Sequence, residues 1–91
     1  MKSISIVTAA FNECPGIIQL ANEWLEFFDQ HSDISLGEVI ICDDHSDLHQ
    51  YESLRDSFIG NQRVTILRNE QNEGPGFSFQ KAIARAKFDW T

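Results

Sequence analysis

The sequence has few basic residues, few cysteines and no long apolar run. Its 7 lysines and arginines are outnumbered by 14 aspartates and glutamates, so the net charge is -7. Such a chain offers no electrostatic footprint for nucleic acid or for an anionic lipid surface. Cys14 and Cys42 lack the paired spacing of a zinc site, and we expect them to be free thiols.

The longest apolar stretch near the N-terminus, residues 4–11, is too short for a signal peptide with a cleavage site or for a membrane span. We therefore expect a cytoplasmic protein. The 91 residues leave room for one small domain or for part of a larger one. Because 42% of them are hydrophobic and 11% aromatic, a packed core is expected rather than disorder.

Apolar patterning predicts strands that alternate with helices. Short β-branched runs at residues 3–10, 38–42 and 63–68 are typical of buried strands. Apolar residues recur at helical spacing in the segments between and after them. The predicted helices cover residues 17–28, 48–58 and 77–87, the last with Phe79, Ile83 and Ala86 facing inward. Residues 33–37 are predicted to form a loop, and residues 88–91 to open a fourth strand.

The order β-α-β-α-β-α-β predicts an α/β fold, in which a Rossmann-like parallel sheet is covered by alternating helices. We expect residues 1–91 to form a single domain, with no internal repeat or low-complexity segment. Ligands of open parallel sheets bind outside the carboxyl ends of the strands. This rule brings three segments to one predicted site: residues 9–13, 43–47 and 69–76.

Two aspartates follow the second predicted strand directly. Asp43 and Asp44 place carboxylates at the ligand-facing edge of the sheet, where they can accept hydrogen bonds from a base or ribose or bind a hard cation. In the alternative, Asp44 or Ser46 caps the next helix and Asp43 is merely solvated. The sequence of this segment alone favours neither.

The other two segments carry an aromatic residue and glycines. Phe11 follows the first strand, where its ring could stack on a planar base, or could instead pack in the core against the following helix. Gly74 and Gly76 precede the third helix, where backbone N–H groups can approach an anion such as a diphosphate. Since Pro75 removes one donor, a simple turn is the alternative.

Taken together, the three segments resemble one protein family. Residues 5–13 (Ser-Ile-Val-Thr-Ala-Ala-Phe-Asn-Glu) resemble the opening strand of family 2 glycosyltransferases. Residues 39–47 (Val-Ile-Ile-Cys-Asp-Asp-His-Ser-Asp) are similar to the second strand of that family. Residues 72–76 (Asn-Glu-Gly-Pro-Gly) resemble its glycine loop. The resemblance covers essentially the whole chain, in matching order and spacing.

The resemblance implies a partial GT-A fold and a nucleotide-diphospho-sugar as the substrate. By this likeness Phe11 takes the place of the base-contacting aromatic residue, and Asp44 contacts the base. Asp43 and Glu13 are implied to lie beside the nucleoside, and the glycines to shape the wall near the ribose and diphosphate. The implied binding residues are Ala9, Phe11, Glu13, Asp43, Asp44, Gly74 and Gly76.

The sequence also departs from the family pattern. Ala9 and Ala10 stand where proline and threonine are common, which removes a hydroxyl contact. Phe79 and Gln80 replace a frequent Arg-Asn pair. The family's Asp-x-Asp motif, which binds Mg²⁺ or Mn²⁺, would follow Thr91, so we expect neither metal-binding nor catalytic residues among these 91.

Two alternatives to a sugar-transferring protein remain at this stage. The acidic pair also resembles that of receiver-type signalling domains, although those place the pair on the first strand. A non-catalytic nucleotide-binding fragment is the other alternative. Further expectations are self-association through an exposed sheet edge, work at the inner face of the membrane, and a part in cell-wall or polysaccharide biosynthesis.

Overall fold

The computed structural model of the protein describes residues 2–31 and 33–87. In these residues three strands alternate with three helices, which confirms the predicted order. The strands are β1 (Lys2–Ala10), β2 (Ile34–Asp43) and β3 (Val64–Arg68). The helices are α1 (Cys14–Gln30), α2 (Leu48–Ser57) and α3 (Pro75–Arg85). The fourth strand predicted from residue 88 lies outside the described residues.

The three strands form a parallel sheet in the order β1-β2-β3, which brings their carboxyl ends to one level. Ala10 pairs with Asp43, and Asp43 pairs with Arg68. Beyond the last pairs, the N–H of Asp44 donates to the carbonyl of Ala10 at 2.8 Å, and the N–H of Asn69 donates to that of Asp43 at 2.8 Å. These two bonds fix the starts of the loops that carry the predicted site.

The helices cover both faces of the sheet. Helices α1 and α2 pack on one face, where alternate residues of β2 such as Val39 and Ile41 enter the larger core cluster. Helix α3 packs on the other face, against Ile40 and Cys42. This two-sided burial explains why residues 39–42 of β2 form a continuous apolar run instead of an alternating pattern. None of the helices in the described ranges is long and apolar enough to cross a membrane.

The predicted loop at residues 33–37 is wrong for most of its length. Strand β2 begins at Ile34, and its first residues pair with the first residues of β1, with a register shift between Lys2 and Ser3. The extension gives hydrogen-bonding partners to the start of the nine-residue strand β1. Gly37 allows this pairing because β2 runs directly beneath the buried ring of Phe28, where a side chain would clash.

The inward face of α3 differs from the predicted one at two of three residues, since Ala86 packs against the core as predicted. Ser78 and Ala82 are fully buried, whereas Phe79 and Ile83 are 40% and 50% exposed. Two small side chains allow the helix to lie close to the sheet. A hydrogen bond from the side-chain amide of Asn69 to Ser78 Oγ, 2.8 Å long, fixes its rotation. Helical periodicity predicts that the larger apolar side chains face inward, because it contains no information about the hydrogen bond between Asn69 and Ser78.

At the amino end of the sheet, α3 is held by a buried carboxylate. Oε2 of Glu38, which is 5% exposed, accepts hydrogen bonds from Ser5 Oγ at 2.6 Å and from the N–H of Lys87 at 2.7 Å. The bond to Lys87 ties the chain leaving α3 to the start of the sheet. The two ends of α3 are therefore anchored by Glu38 on β2 and by Asn69, the residue after β3.

Substitution of Gly37 with alanine is expected to lower the free energy of unfolding by about 1–3 kcal/mol, the usual cost of overpacking a core. A Cβ at this position would lie 2.5 Å from two ring carbons of Phe28. Urea denaturation measures the effect. The matched control is Gly16→Ala in α1, where an added Cβ meets nothing within 4 Å. Equal stability of the two variants would contradict the close approach of β2 to Phe28.

Candidate functional site

A pocket of about 440 Å³ opens at the carboxyl ends of β1 and β2, beside the start of α3. Its volume lies within the range of small-molecule sites, ~300–1,000 Å³. Among the described residues that line it there is no lysine or arginine, and the only charged groups are two carboxylates. The lining residues are Ala9, Ala10, Phe11, Glu13, Asp44, Asn72, Gly74 and Pro75.

Five of the seven residues named from the sequence meet at this pocket. Ala9, Phe11 and Glu13 come from the end of β1 and the turn that follows it, Asp44 from the end of β2, and Gly74 from the loop before α3. Phe11 is 49% exposed, so the alternative that it packs in the core is wrong. Asp43 and Gly76 are the two that do not line the pocket.

Asp44 joins the end of β2 to the loop before α3. Its Oδ1 accepts hydrogen bonds from the N–H of Glu73 at 2.7 Å and from Asn69 Nδ2 at 2.9 Å. Its Oδ2 accepts one from the N–H of Gly74 at 2.9 Å. The anion bound by the backbone N–H groups in front of α3 is therefore Asp44 itself. Neither Asp44 nor Ser46 caps α2 through its side chain, since the N-cap of that helix is Asp47.

These contacts hold Asp44 in its ionised form. Burial raises the pKa of Asp44, but the hydrogen bonds from Glu73, Asn69 and Gly74 outweigh it and leave the pKa below its ordinary value of 3.8. Because the folded-state pKa is the lower one, the resulting stabilisation is present above the unfolded-state pKa and is lost as the pH falls through the folded-state pKa. At neutral pH the pocket therefore contains a carboxylate acceptor.

Asp43 is fully buried and belongs to a network beside the pocket. Its Oδ1 accepts a hydrogen bond from Ser46 Oγ at 2.5 Å, and its Oδ2 accepts one from the N–H of Ser46 at 3.0 Å. Oδ2 also pairs with the guanidinium of Arg68 at 2.6 Å. The alternative of a merely solvated Asp43 is thus wrong. The expected place of Asp43 beside a nucleoside remains a prediction, since Asp43 does not line the pocket.

Arg68 spans from β3 to the loop after β2, a role that the sequence did not reveal. Besides Asp43, it donates to the carbonyl of Ser46 at 3.0 Å, and its guanidinium carbon lies 4.5 Å from the ring centre of Tyr51. The sequence shows an arginine at the end of a strand, but it does not show that this arginine pairs with Asp43. Arginine suits this position because its planar guanidinium donates to a carboxylate and to a carbonyl from separate nitrogens while it stacks on an aromatic ring.

The turns after β1 and β2 are also bonded to each other. The N–H of Asn12 donates to Ser46 Oγ at 2.9 Å, and Asn12 Oδ1 accepts from the N–H of Asp47 at 2.8 Å. Asn12 and His45 both adopt positive φ, 53° and 61°. Such backbone conformations are uncommon outside glycine and persist where surrounding contacts enforce them. The pocket walls formed by Phe11 and Asp44 are therefore braced by direct bonds between their neighbouring residues.

Asn69 is a second residue to which sequence reasoning assigned no role, although it lies in one of the three predicted segments. It is 1% exposed. Its Nδ2 donates to Asp44 and to Ser78, while its Oδ1 accepts from Lys81 Nζ at 3.1 Å and from Cys42 Sγ at 3.4 Å. Four hydrogen bonds thus converge on one buried amide. Asn69 couples the carboxylate of the pocket to the packed face of α3.

The two cysteines are free, as expected, and both are buried. Burial raises the pKa of the Cys14 and Cys42 thiols, so both are protonated at neutral pH. Across the described part of the chain, no group of three or more histidine, cysteine, aspartate or glutamate side chains could hold a metal ion. The carboxylates of Asp43 and Asp44 are engaged by protein donors and do not fit a metal site.

Comparison with protein families gives a match over most of the chain. The model described as Glycosyl transferase family 2 matches residues 5–91 of this chain. No curated protein sequence is significantly similar to it.

Among solved structures, the chain is similar to the mannosyltransferase PcManGT from Pyrobaculum calidifontis, solved in complex with GDP-Man and Mn²⁺. The TM-score is 0.72 at 17% sequence identity, over 94% of this chain. At that identity the likeness shows a shared fold. The chain spans 25% of the length of the mannosyltransferase chain.

Proposed function

Because the chain belongs to glycosyl transferase family 2, we propose that its pocket binds the nucleoside of a nucleotide-diphospho-sugar. The whole protein then transfers the sugar from this donor to an acceptor hydroxyl or lipid phosphate. One observation carries the proposal: Phe11, Glu13, Asp44 and Gly74, named from three separate segments of the sequence, line the same pocket. In this proposal residues 1–91 form the donor-binding domain.

The lining of the pocket suits the uncharged part of such a donor. The exposed ring of Phe11 provides a face on which a planar base can stack. Ala9 and Ala10 have small side chains that leave room for the base. The carboxylate of Asp44 accepts a hydrogen bond from the base, and its low pKa keeps it ionised for that purpose. We place the base between these groups and Gly74.

The diphosphate needs charge neutralisation that this pocket does not supply. Glu13 and Asp44 are its charged residues, and the N–H groups of Glu73 and Gly74 already bind Asp44. We therefore propose that the diphosphate extends away from these groups. Mg²⁺ or Mn²⁺ is proposed for the whole enzyme, since the mannosyltransferase of the same fold was solved with Mn²⁺ and GDP-Man. The described residues do not fit that metal, so its ligands lie elsewhere.

Further proposals, made from the sequence, concern the setting of the protein. They are a cytoplasmic location at the inner face of the membrane, a part in cell-wall or polysaccharide biosynthesis, and no nucleic-acid partner. Self-association through a sheet edge is supported by the position of β1 and β3 as the outer strands of the described sheet. A non-catalytic nucleotide-binding protein is the second candidate function, since the lining of the pocket suits a nucleotide base whether or not sugar transfer follows.

Replacing Phe11 with alanine is expected to weaken nucleotide binding about 5- to 150-fold, since stacking of one base on an aromatic ring is worth ~1–3 kcal/mol. UDP-, GDP- and dTDP-sugars are titrated into the full-length protein with Mn²⁺, by calorimetry. The matched control is Phe79→Ala, which removes a ring of similar exposure that does not line the pocket. If no nucleotide bound at millimolar concentration, the proposed function would be wrong.

Transfer activity separates the two candidate functions. Release of nucleoside diphosphate that depends on Mn²⁺ and on an added acceptor would establish a transferase. Nucleotide binding without any such release would favour the non-catalytic candidate.

A further inference from the structure

The side-chain amide of Asn69 lies between a cation and a carboxylate. Its Nδ2 donates to Asp44 Oδ1 at 2.9 Å, and its Oδ1 accepts from the ammonium of Lys81 at 3.1 Å. Lys81 belongs to α3 and does not line the pocket that contains Asp44. It lines a separate depression of about 280 Å³ at the carboxyl end of β3. The amide therefore joins two charged groups that lie in different depressions of the surface.

The two charged partners decide which way this amide points. An amide carries donors on its nitrogen and an acceptor on its oxygen, whereas an ammonium only donates and an ionised carboxylate only accepts. Rotating the amide of Asn69 by half a turn would place its N–H groups against Lys81 and its oxygen against Asp44. Both bonds would be lost, and because Asn69 is only 1% exposed, bulk water does not replace them.

The other contacts of the amide set its direction less strongly. Ser78 Oγ accepts from Nδ2 at 2.8 Å, but a hydroxyl can donate as well as accept. The thiol of Cys42 donates to Oδ1 at 3.4 Å, and a thiol is a weak donor. Among the described residues, Lys81 is thus the charged donor that Oδ1 meets. A second bond, of 3.2 Å to the carbonyl of Arg68, fixes the position of Lys81 itself.

From these contacts we infer that Lys81 and Asn69 are positioning residues for the pocket. Lys81 fixes the direction of the Asn69 amide, and the amide holds the carboxylate of Asp44 in place at the pocket wall. Without the ammonium the amide is free to rotate, so Asp44 keeps its two backbone donors but loses its side-chain donor for part of the time. This inference rests on the proposed function, because it concerns a carboxylate that is proposed to contact the nucleotide.

Replacing Lys81 with methionine tests the inference, since methionine keeps the apolar stem of the side chain but donates no hydrogen bond. We expect binding of a nucleoside diphosphate to weaken about 3- to 10-fold, the usual effect of losing one hydrogen bond. UDP, GDP and dTDP are titrated separately into the full-length protein with Mn²⁺, by calorimetry.

Two further variants are matched to Lys81→Met. Lys81→Arg keeps a charged group that only donates, and it is expected to bind within about twofold of the unmodified protein. Arg85→Met removes a charge from the last turn of α3, where the side chain is exposed, and it should also stay within about twofold. Urea unfolding of all three variants checks that they are folded.

A double-mutant cycle shows whether Lys81 acts through Asp44. If the lysine affects binding by way of that carboxylate, Lys81→Met has no further effect in a protein that already carries Asp44→Ala. NMR titration at millimolar nucleotide measures the weaker binding of that background. A loss of packing around α3 would instead weaken binding by the same factor in both backgrounds.

The side-chain amide of Asn69 gives a readout that needs no nucleotide. In the unmodified protein its Nδ2 donates to Asp44 and to Ser78, so exchange of the amide protons with solvent is slow. We expect this exchange to be about tenfold faster in Lys81→Met than in the unmodified protein or in Lys81→Arg. Nitrogen-15 NMR of the asparagine side chains measures it.

The outcomes separate this inference from the function on which it rests. A loss of affinity in Lys81→Met that arginine restores, and that disappears in the Asp44→Ala background, supports it. Unchanged affinity in Lys81→Met, a loss that arginine does not restore, or an equal loss in both backgrounds overturns it while nucleotide binding stands. If no nucleoside diphosphate binds, the proposed function is overturned, and amide exchange alone decides the role of Lys81: faster exchange in Lys81→Met supports that role, and equal exchange overturns it.

Discussion

Substitution of Asp43 with alanine is expected to lower the free energy of unfolding by about 3–5 kcal/mol, the usual cost of breaking a buried ion pair from one side. Asp43 is fully buried, and its carboxylate pairs with Arg68 at 2.6 Å while accepting two hydrogen bonds from Ser46. Without it, the guanidinium of Arg68 and the hydroxyl of Ser46 lose their shared partner. Urea unfolding measures the loss.

The matched control is Asp29→Ala. Asp29 also pairs with an arginine, Arg63, at 2.8 Å, but both side chains are largely exposed. Exposed pairs contribute ~0–1 kcal/mol, so this variant should remain within about 1 kcal/mol of the unmodified protein. Similar losses in the two variants would show that the network around Asp43 does not hold the strand ends together.

Substitution of Asp44 with alanine is expected to weaken binding of a nucleoside diphosphate about 100-fold. A hydrogen bond to a charged group contributes ~1.5–3 kcal/mol, and the variant loses the one made to the base. It also leaves the N–H groups of Glu73 and Gly74 without their acceptor, which loosens the loop that forms the opposite wall of the pocket. Titration of the full-length protein with UDP in the presence of Mn²⁺ measures the change.

The control for Asp44 is Asp47→Ala, which removes the same charge three residues away. Asp47 is exposed, does not line the pocket, and makes no side-chain capping bond to α2. We expect this variant to bind nucleotide within about twofold of the unmodified protein. Urea unfolding of both variants checks that they are folded. A folded Asp44→Ala protein with undiminished binding would contradict the site assignment.

The two predictions concern neighbouring residues of the same type with different tasks. Alternation along β2 turns Asp43 towards the network of Arg68 and Ser46, and Asp44 lies beyond the last strand residue, where it meets the loop before α3. Asp44 lines the pocket itself, whereas Asp43 affects the pocket by holding the surrounding loops in place. The sequence Asp-Asp does not show which aspartate joins the buried network and which lines the pocket.

The sequence was sufficient to predict the α/β fold class, the order of the six elements and the edge of the sheet where the pocket lies. Buried parallel strands are apolar throughout, helices repeat their apolar residues every three or four positions, and the carboxyl ends of parallel strands meet at one edge. All three signals are local or follow from topology. On this basis the segments that carry Phe11, Glu13, Asp44 and Gly74 could be brought to one pocket, and the resemblance to the family then singled out these residues.

Only the tertiary structure decided which side chains bond to each other. The start of β2 at Ile34, the burial of Ser78 in place of Phe79, and the roles of Arg68 and Asn69 all depend on partners 9 to 33 residues away in the chain. Hydrogen bonds and ion pairs act over about 3 Å in space, so no local pattern of residues records them. The same holds for the three hydrogen bonds that the carboxylate of Asp44 accepts, since their donors all lie in the distant segment 69–76.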